Sequence, residues 1–306
     1  PIYTQHISPE EYGIINSLAV LGAFFGVFFT LTFERSILRL YWEFETKEER
    51  ETFMGTVFMS VTVIAIAVLI LIFIFQKAVG QIYESIDFYP FYLYALLAAF
   101  FAAFTSVASQ YLLAESKASL HIRLSLTQFV FNTVLIIWFV IYQGQAAEGY
   151  LKALLIGTLL VLPFYIYISL KNSRFEFRLD YLKQIAHFSL PLIPSIIAAW
   201  VLNLSDRVFI ERYFVLEEVG LYSLGYKIAG LILVITGSFA LAYSPIFFKL
   251  AKTNKEKLSK YNSLYLILVI YLCFFISFFA KEGIALFFGE EYFEAWRFIP
   301  IIAISF

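Results

Sequence analysis

The sequence predicts an all-α, polytopic membrane helical bundle with about nine transmembrane helices, and three observations carry that prediction. Hydrophobic residues make up 61% of the 306-residue chain and charged residues 15%, against roughly 45–50% and about 25% in a soluble domain. The mean hydropathy is +0.81. The apolar residues gather in runs of about twenty, the length a helix needs to cross the hydrocarbon layer. None shows the period of two that a transmembrane barrel requires. A soluble fold has no interior large enough for this much apolar surface, so lipid is the main solvent.

The runs cover 12–33, 54–75, 89–113, 122–142, 150–170, 188–212, 219–247 and 261–280, with a last one from about 295 that the terminus truncates. Phe, Leu, Ile and Ala dominate them, and tyrosines cluster near their ends as in an aromatic belt. Pro191 and Pro194 open the sixth run; proline is tolerated early in a helix and can also bend a span, so a helix start and a hinge both fit. The acidic and aromatic stretch Gly289–Trp296 predicts a short interfacial helix. No connection is long enough to be a soluble domain. Pro1 stands where a methionine would, and the chain stops inside an apolar stretch at Phe306, which predicts a fragment of a longer protein.

Basic residues alternate between the two sides. Connections 34–53, 114–123, 171–187 and 248–260 hold fifteen, among them Arg35, Arg39, Lys47, Arg50, Lys117, Arg123, Arg174, Arg178, Lys183, Lys249 and Lys252. The opposite side holds five: Lys77, Lys152, Arg212, Lys281 and Arg297. The positive-inside rule places the first set in the cytoplasm and Pro1–Glu11 outside.

Several function classes are excluded or disfavoured. The net charge of −1 points to no acidic or basic partner and to no nucleic acid. Cys273 is the single cysteine, so no disulfide framework or cysteine-based metal site forms. His6, His121 and His187 fit no ligand spacing, and no metal or cofactor is expected. There is no nucleophile elbow, zinc-protease motif or phosphate-cradling glycine loop, so the chain reads as a non-enzyme.

Polar groups at membrane depth are costly and face a cavity or a partner helix. Asn203, Asp206 and Arg207 share one helix face, which Glu211 continues. Lys227 lies in the next run, at a similar distance from the hairpin tip near Leu216. One reading is a basic site for an anionic headgroup, because Arg grips phosphate in a fork and Lys adds a point charge. The other is that Asp206 pairs with Lys227 or Arg207 and locks two helices; a paired charge can also gate. Arg35 and Arg39, four residues apart, are either snorkelling anchors or a cytoplasmic arrival point for a pyrophosphate. Gln128 and Asn132 suit helix–helix hydrogen bonding at least as well as sugar binding.

Three stretches resemble the Wzx-type polysaccharide and oligosaccharide flippases, the polysaccharide biosynthesis proteins of the multidrug/oligosaccharidyl-lipid/polysaccharide exporter superfamily. They are Ile7–Gly13, Arg35–Tyr41, and the long run from Leu190-Pro191-Leu192-Ile193-Pro194-Ser195 through Ser205-Asp206-Arg207 to Glu218–Ser223 and Tyr226-Lys227-Ile228. The resemblance implies two pseudosymmetric bundles around a central cavity: 1–170 as the remainder of the first, 171–187 as a cytoplasmic linker, and 188–306 as the truncated start of the second. It implies a multi-pass protein of the inner (plasma) membrane. The function implied is lipid-linked oligosaccharide export for polysaccharide or lipopolysaccharide biosynthesis, with an undecaprenyl-pyrophosphate glycan moved from inner to outer leaflet by alternating access. On this reading Arg207, Lys227, Arg35, Arg39 and Asn203 bind substrate, and Asp206 and Glu211 couple or gate. The partners implied are membrane lipid, the lipid-linked substrate, and a glycan polymerase or glycosyltransferases.

The competing readings are a multidrug cation antiporter of the same superfamily, a membrane enzyme of glycan assembly, and a scaffold without a transport cycle. An antiporter cavity should offer carboxylates to a cationic drug, whereas the charges at membrane depth here are mixed. A polymerase should carry a large polar outside loop, and none is present.

Overall fold

The computed structural model describes residues 3–306, apart from the side chains of residue 3 and of 240–242, 244–246, 248–249 and 251–253. The side chains of Lys249 and Lys252, expected on the basic side, therefore lie outside the described residues, as do Pro1 and Ile2 of the predicted outside segment. Among the described residues the chain is helical, with no strand. The helices are α1 (Pro9–Thr30), α2 (Arg35–Leu40), α3 (Lys47–Ile74), α4 (Gln76–Gly80), α5 (Leu93–Ala114), α6 (Ala118–Ile136), α7 (Ala146–Lys171), α8 (Leu179–Ser189), α9 (Leu192–Leu204), α10 (Asp206–Tyr213), α11 (Leu216–Ala229), α12 (Leu231–Thr253), α13 (Lys255–Phe278), α14 (Ala280–Phe287) and α15 (Ile299–Ser305).

Eight of the described helical segments are long and apolar enough to cross a membrane, each on one of the eight complete apolar runs, and the protein is a multi-pass membrane protein. The ninth run forms the short α15. Pro191 falls at a break between two helices, with α8 ending at Ser189 and α9 starting at Leu192, and Pro194 lies in the first turn of α9. Proline has no amide hydrogen to give to the previous turn, so the helical ladder is interrupted there. The stretch after Gly289 is a 3-10 helix over Glu290–Arg297.

Contacts divide the chain into two compact units. One comprises residues 14–215. In it α7 packs on α5 and α6, and α3 packs on α5 and α8. Gln128 of α6 donates to the Thr158 hydroxyl of α7 at 3.2 Å, and Gly157 leaves room for the Asn132 side chain, which a Cβ would overlap. These two amides therefore sit at a helix–helix contact. Trp200 packs on Phe24 with centroids 4.9 Å apart and donates its indole N–H to the Val20 carbonyl at 3.0 Å. Thr46 caps α3 reciprocally with Glu49, satisfying two amides that the first turn leaves open.

Between α1 and α2 the backbone takes two consecutive left-handed steps, at Leu31 (φ 45°) and Thr32 (φ 60°). Neither is glycine, so the turn is strained. It is held by the Thr32 hydroxyl, which donates to the Ser189 carbonyl at the α8–α9 break at 2.9 Å.

The other unit comprises residues 1–13 and 216–306. Here α11 packs on α15 and on the Glu290–Arg297 turn, and α13 packs on α12 and α15. The start of α1 crosses α11 at backbone contact. A Cβ on Gly13 would overlap the Leu216 carbonyl, and one on Gly220 would overlap the Pro9 carbonyl. The Tyr292 hydroxyl closes the crossing by donating to the Ile7 carbonyl, 2.8 Å away.

Candidate functional site

The expected face at 203–211 is built by a break in the helix. Helix α9 ends at Leu204 and α10 begins at Asp206, with Ser205 between them. The Arg207 guanidinium meets the Asp206 carboxylate at 3.0 Å and donates to the Asn203 carbonyl at 3.2 Å. Asn203 itself is exposed and donates its side-chain amide to the Ala199 carbonyl at 2.7 Å. Arg207 is 5% exposed and Glu211 4%. Burial of a charge is costly unless it is paired, and the Asp206 contact supplies Arg207 with that pair.

Glu211 is satisfied from another element. One carboxylate oxygen accepts the Ser85 backbone N–H at 3.0 Å, while the other is buried without a hydrogen-bond partner. Arg212, next in sequence, pairs with Glu84 at 2.6 Å. The 81–87 turn thus docks onto α10 through consecutive residues. Tyr83 is fully buried in the same turn, and its N–H donates to the Tyr92 hydroxyl at 3.0 Å. Burial raises the Tyr83 phenol above its ordinary range, with Arg207 pulling the other way and Glu211 adding to the rise. This turn carried no signal in the sequence, because Glu211 recognises a backbone amide and any residue supplies one.

Lys227 belongs to the other unit. Its ammonium donates to the Tyr12 hydroxyl at 2.8 Å and stands 4.7 Å from the centroid of the same ring. Tyr12 is buried and meets Tyr292 edge-to-face, with centroids 5.7 Å apart. Lys227 is exposed at the end of this aromatic pair. The ring face and hydroxyl offset part of the cost of a cation in an apolar helix.

Arg35 and Arg39 both lie exposed on α2, as an i, i+4 pair should. Arg35 is 3.8 Å from Glu34, and Arg39 pairs with Glu43. Glu34 is buried, and one of its oxygens has no hydrogen-bond partner. Desolvation raises its pKa, and Thr30 and Arg35 pull it back only in part. Among the described residues no group of three or more His, Cys, Asp or Glu side chains converges as for a metal.

The chain is similar to a Haemophilus influenzae protein of the Lsg locus, at 24% identity over 264 residues, covering 83% of this chain and 62% of that one. It therefore spans less than two thirds of that relative's length. Solved structures share the fold. A multidrug resistance MATE family transporter of the MOP superfamily, inward-facing, matches at a TM-score of 0.67 and 19% identity, covering 99% of this chain and 76% of that one. A MATE protein in the straight conformation matches at a TM-score of 0.57 and 19% identity, covering 99% and 74%. Residues 4–297, nearly the whole of this helical chain, match the model of the polysaccharide biosynthesis protein family, and the chain belongs to that family.

Proposed function

We propose that this chain is the greater part of a lipid-linked oligosaccharide flippase, which moves an undecaprenyl-pyrophosphate-linked glycan from the inner to the outer leaflet of the inner (plasma) membrane by alternating access. The observation that carries the reading is Lys227, an exposed ammonium inside an apolar helix, oriented by Tyr12. A cation kept at such a place suits an anionic headgroup, and a pyrophosphate is the anion that a lipid-linked glycan brings. Membership of the polysaccharide biosynthesis protein family supports a glycan as the cargo.

In this reading Lys227 receives the pyrophosphate. Arg207 and Asp206 form a pair that opens and closes with the cycle, and Glu211 holds α10 to the 81–87 turn. Arg35 and Arg39 meet the headgroup at the basic side.

The test uses the complete gene, with surface glycan quantified in a deletion strain that also carries Lys227→Ala or Arg207→Ala. A charge-assisted contact is worth about 1.5–3 kcal/mol, so export should fall roughly ten- to a hundredfold in Lys227→Ala at normal protein level. Unchanged export in both variants overturns the assignment. The MATE-like fold leaves cation antiport as the competing activity; that reading expects Lys227→Ala to leave glycan export intact and to change resistance to cationic drugs.

A further inference from the structure

The joint between α1 and α2 carries a buried carboxyl that the transport reading does not use. Glu34 follows the α1 span, which ends at Thr30. It is 9% exposed, and its Oε2 has no hydrogen-bond partner. An ionised carboxylate can only accept hydrogen bonds, and burying one with an oxygen left bare is costly.

A chain of hydrogen bonds leads from this carboxyl to a second pair of helices. The Thr30 hydroxyl bonds the carboxyl and accepts the Thr32 N–H at 3.1 Å. The Thr32 hydroxyl in turn donates to the Ser189 carbonyl at 2.9 Å. Ser189 is the last residue of α8, just before the break at Pro191. Thr30, Thr32 and Ser189 are all buried, so the links run through the interior, where each bond polarises the next. The middle of the chain is the left-handed Leu31–Thr32 turn. Such a backbone persists only while its surroundings hold it.

The surrounding charges leave Glu34 poorly compensated. Helix α2 packs on α5 and α8. The ionisable groups there are Arg35 and Arg39 of α2, Tyr111 and Glu115 at the end of α5, and Lys183 and His187 of α8. Arg39 pairs with Glu43, and Glu115 with Lys117 at 3.2 Å. Of these groups Arg35 alone acts on the Glu34 charge, from 3.8 Å and from an exposed position. A contact open to water compensates weakly.

We propose that Glu34 is a proton-binding switch whose charge state passes through Thr30 and Thr32 to the α8–α9 break. With the proton bound, the carboxyl is neutral and the joint stays closed. Loss of the proton to water leaves a buried anion with a bare oxygen. Water enters to hydrate it, and the joint loosens. The switch is read without transport, so its outcome is separate from that of glycan export.

The test is hydrogen–deuterium exchange of the complete protein in lipid nanodiscs between about pH 5 and about pH 8, with rates corrected for the intrinsic effect of pH. The reporters are the Arg35 and Ser36 amides, bonded to the Thr32 and Phe33 carbonyls, and the Leu190 amide, bonded to the Ala186 carbonyl. In the wild type both sets should lose protection by about tenfold across that range, the effect of one desolvated and unsatisfied acceptor. Glu34→Gln should hold the low-pH protection throughout. Thr32→Val cuts the link to Ser189 and keeps the carboxyl, so the Arg35 and Ser36 amides should still respond to pH and the Leu190 amide should not. This second variant answers even where Glu34→Gln does not fold. Wild-type protection that does not change with pH, or that changes equally in Glu34→Gln, overturns the proposal. A Leu190 response that survives in Thr32→Val also overturns it.

Discussion

The Lys227 ammonium sits 2.8 Å from the Tyr12 hydroxyl and 4.7 Å from the centre of its ring, so one aromatic side chain holds the cation in two ways. Tyr12→Phe removes the hydroxyl and keeps the ring. It should cost about 1 kcal/mol in thermal unfolding, the net worth of one hydrogen bond. Tyr12→Ala also removes the edge-to-face contact with Tyr292 and a buried ring, and should cost roughly 3–5 kcal/mol. Surface glycan in Tyr12→Phe should fall between wild type and Lys227→Ala, because the cation remains but is less well aimed. Export in Tyr12→Phe as low as in Lys227→Ala would mean that the hydroxyl itself meets the cargo.

The Ser85–Glu211 contact gives a second prediction. Glu211→Gln keeps an acceptor for the Ser85 N–H and should change stability by less than about 1 kcal/mol. Glu211→Ala strands that amide and should cost roughly 1–3 kcal/mol. Differential scanning of the purified variants separates the two. Equal losses would show that the charge of Glu211, and not its hydrogen bond, is what the 81–87 turn responds to.

How far these sites could be read from the sequence depended on what each group recognises. The eight complete spans were legible, because a membrane demands a long apolar run and little else imitates one. The Asp206–Arg207 pair was legible as one of two alternatives, since neighbouring opposite charges announce themselves. Tyr12 as the holder of Lys227 was not, since the two residues are 215 positions apart and nothing in the spacing joins them. The same holds for Ser85 and Glu211. Residues 171–187 read only as a basic connector, yet from Leu179 they form α8, because a single amphipathic stretch of eleven residues is too short to register as a span. Gly13 and Gly220 also gave no signal, because a close crossing shows only when both backbones are placed.

That crossing supplies a third prediction. Gly220→Ala and Gly13→Ala each drive a methyl group into a backbone carbonyl, of Pro9 and Leu216 respectively, which cannot rotate away. Each should cost about 1–3 kcal/mol or more, the range for overpacking. Gly26, also in α1, has open space around its missing Cβ. Gly26→Ala should therefore be neutral or stabilising by roughly 0.5–1 kcal/mol, through helix propensity alone. Similar losses at all three positions in thermal unfolding would argue against the close crossing.

Glu34 yields a prediction in pH. Its carboxyl is buried beside the strained Leu31–Thr32 turn, one oxygen has no hydrogen-bond partner, and burial raises its pKa above the ordinary value of 4.5. The folded protein therefore holds this proton more tightly than the unfolded chain does. A group of this kind contributes stability that is fully present below the unfolded pKa and is lost as pH rises through the folded one. Glu34→Gln mimics the protonated form at every pH. Against wild type it should be more stable by about 1–3 kcal/mol near pH 8, the cost of a desolvated, unsatisfied acceptor. Losing the 3.8 Å contact with the exposed Arg35 offsets that gain only slightly. The difference should shrink toward zero as pH falls to roughly 4–5, where wild-type Glu34 is itself protonated. Taking the difference between the two proteins cancels every other carboxylate, so a gap in melting temperature that stayed constant from pH 8 to 4 would show that Glu34 binds its proton equally in both states.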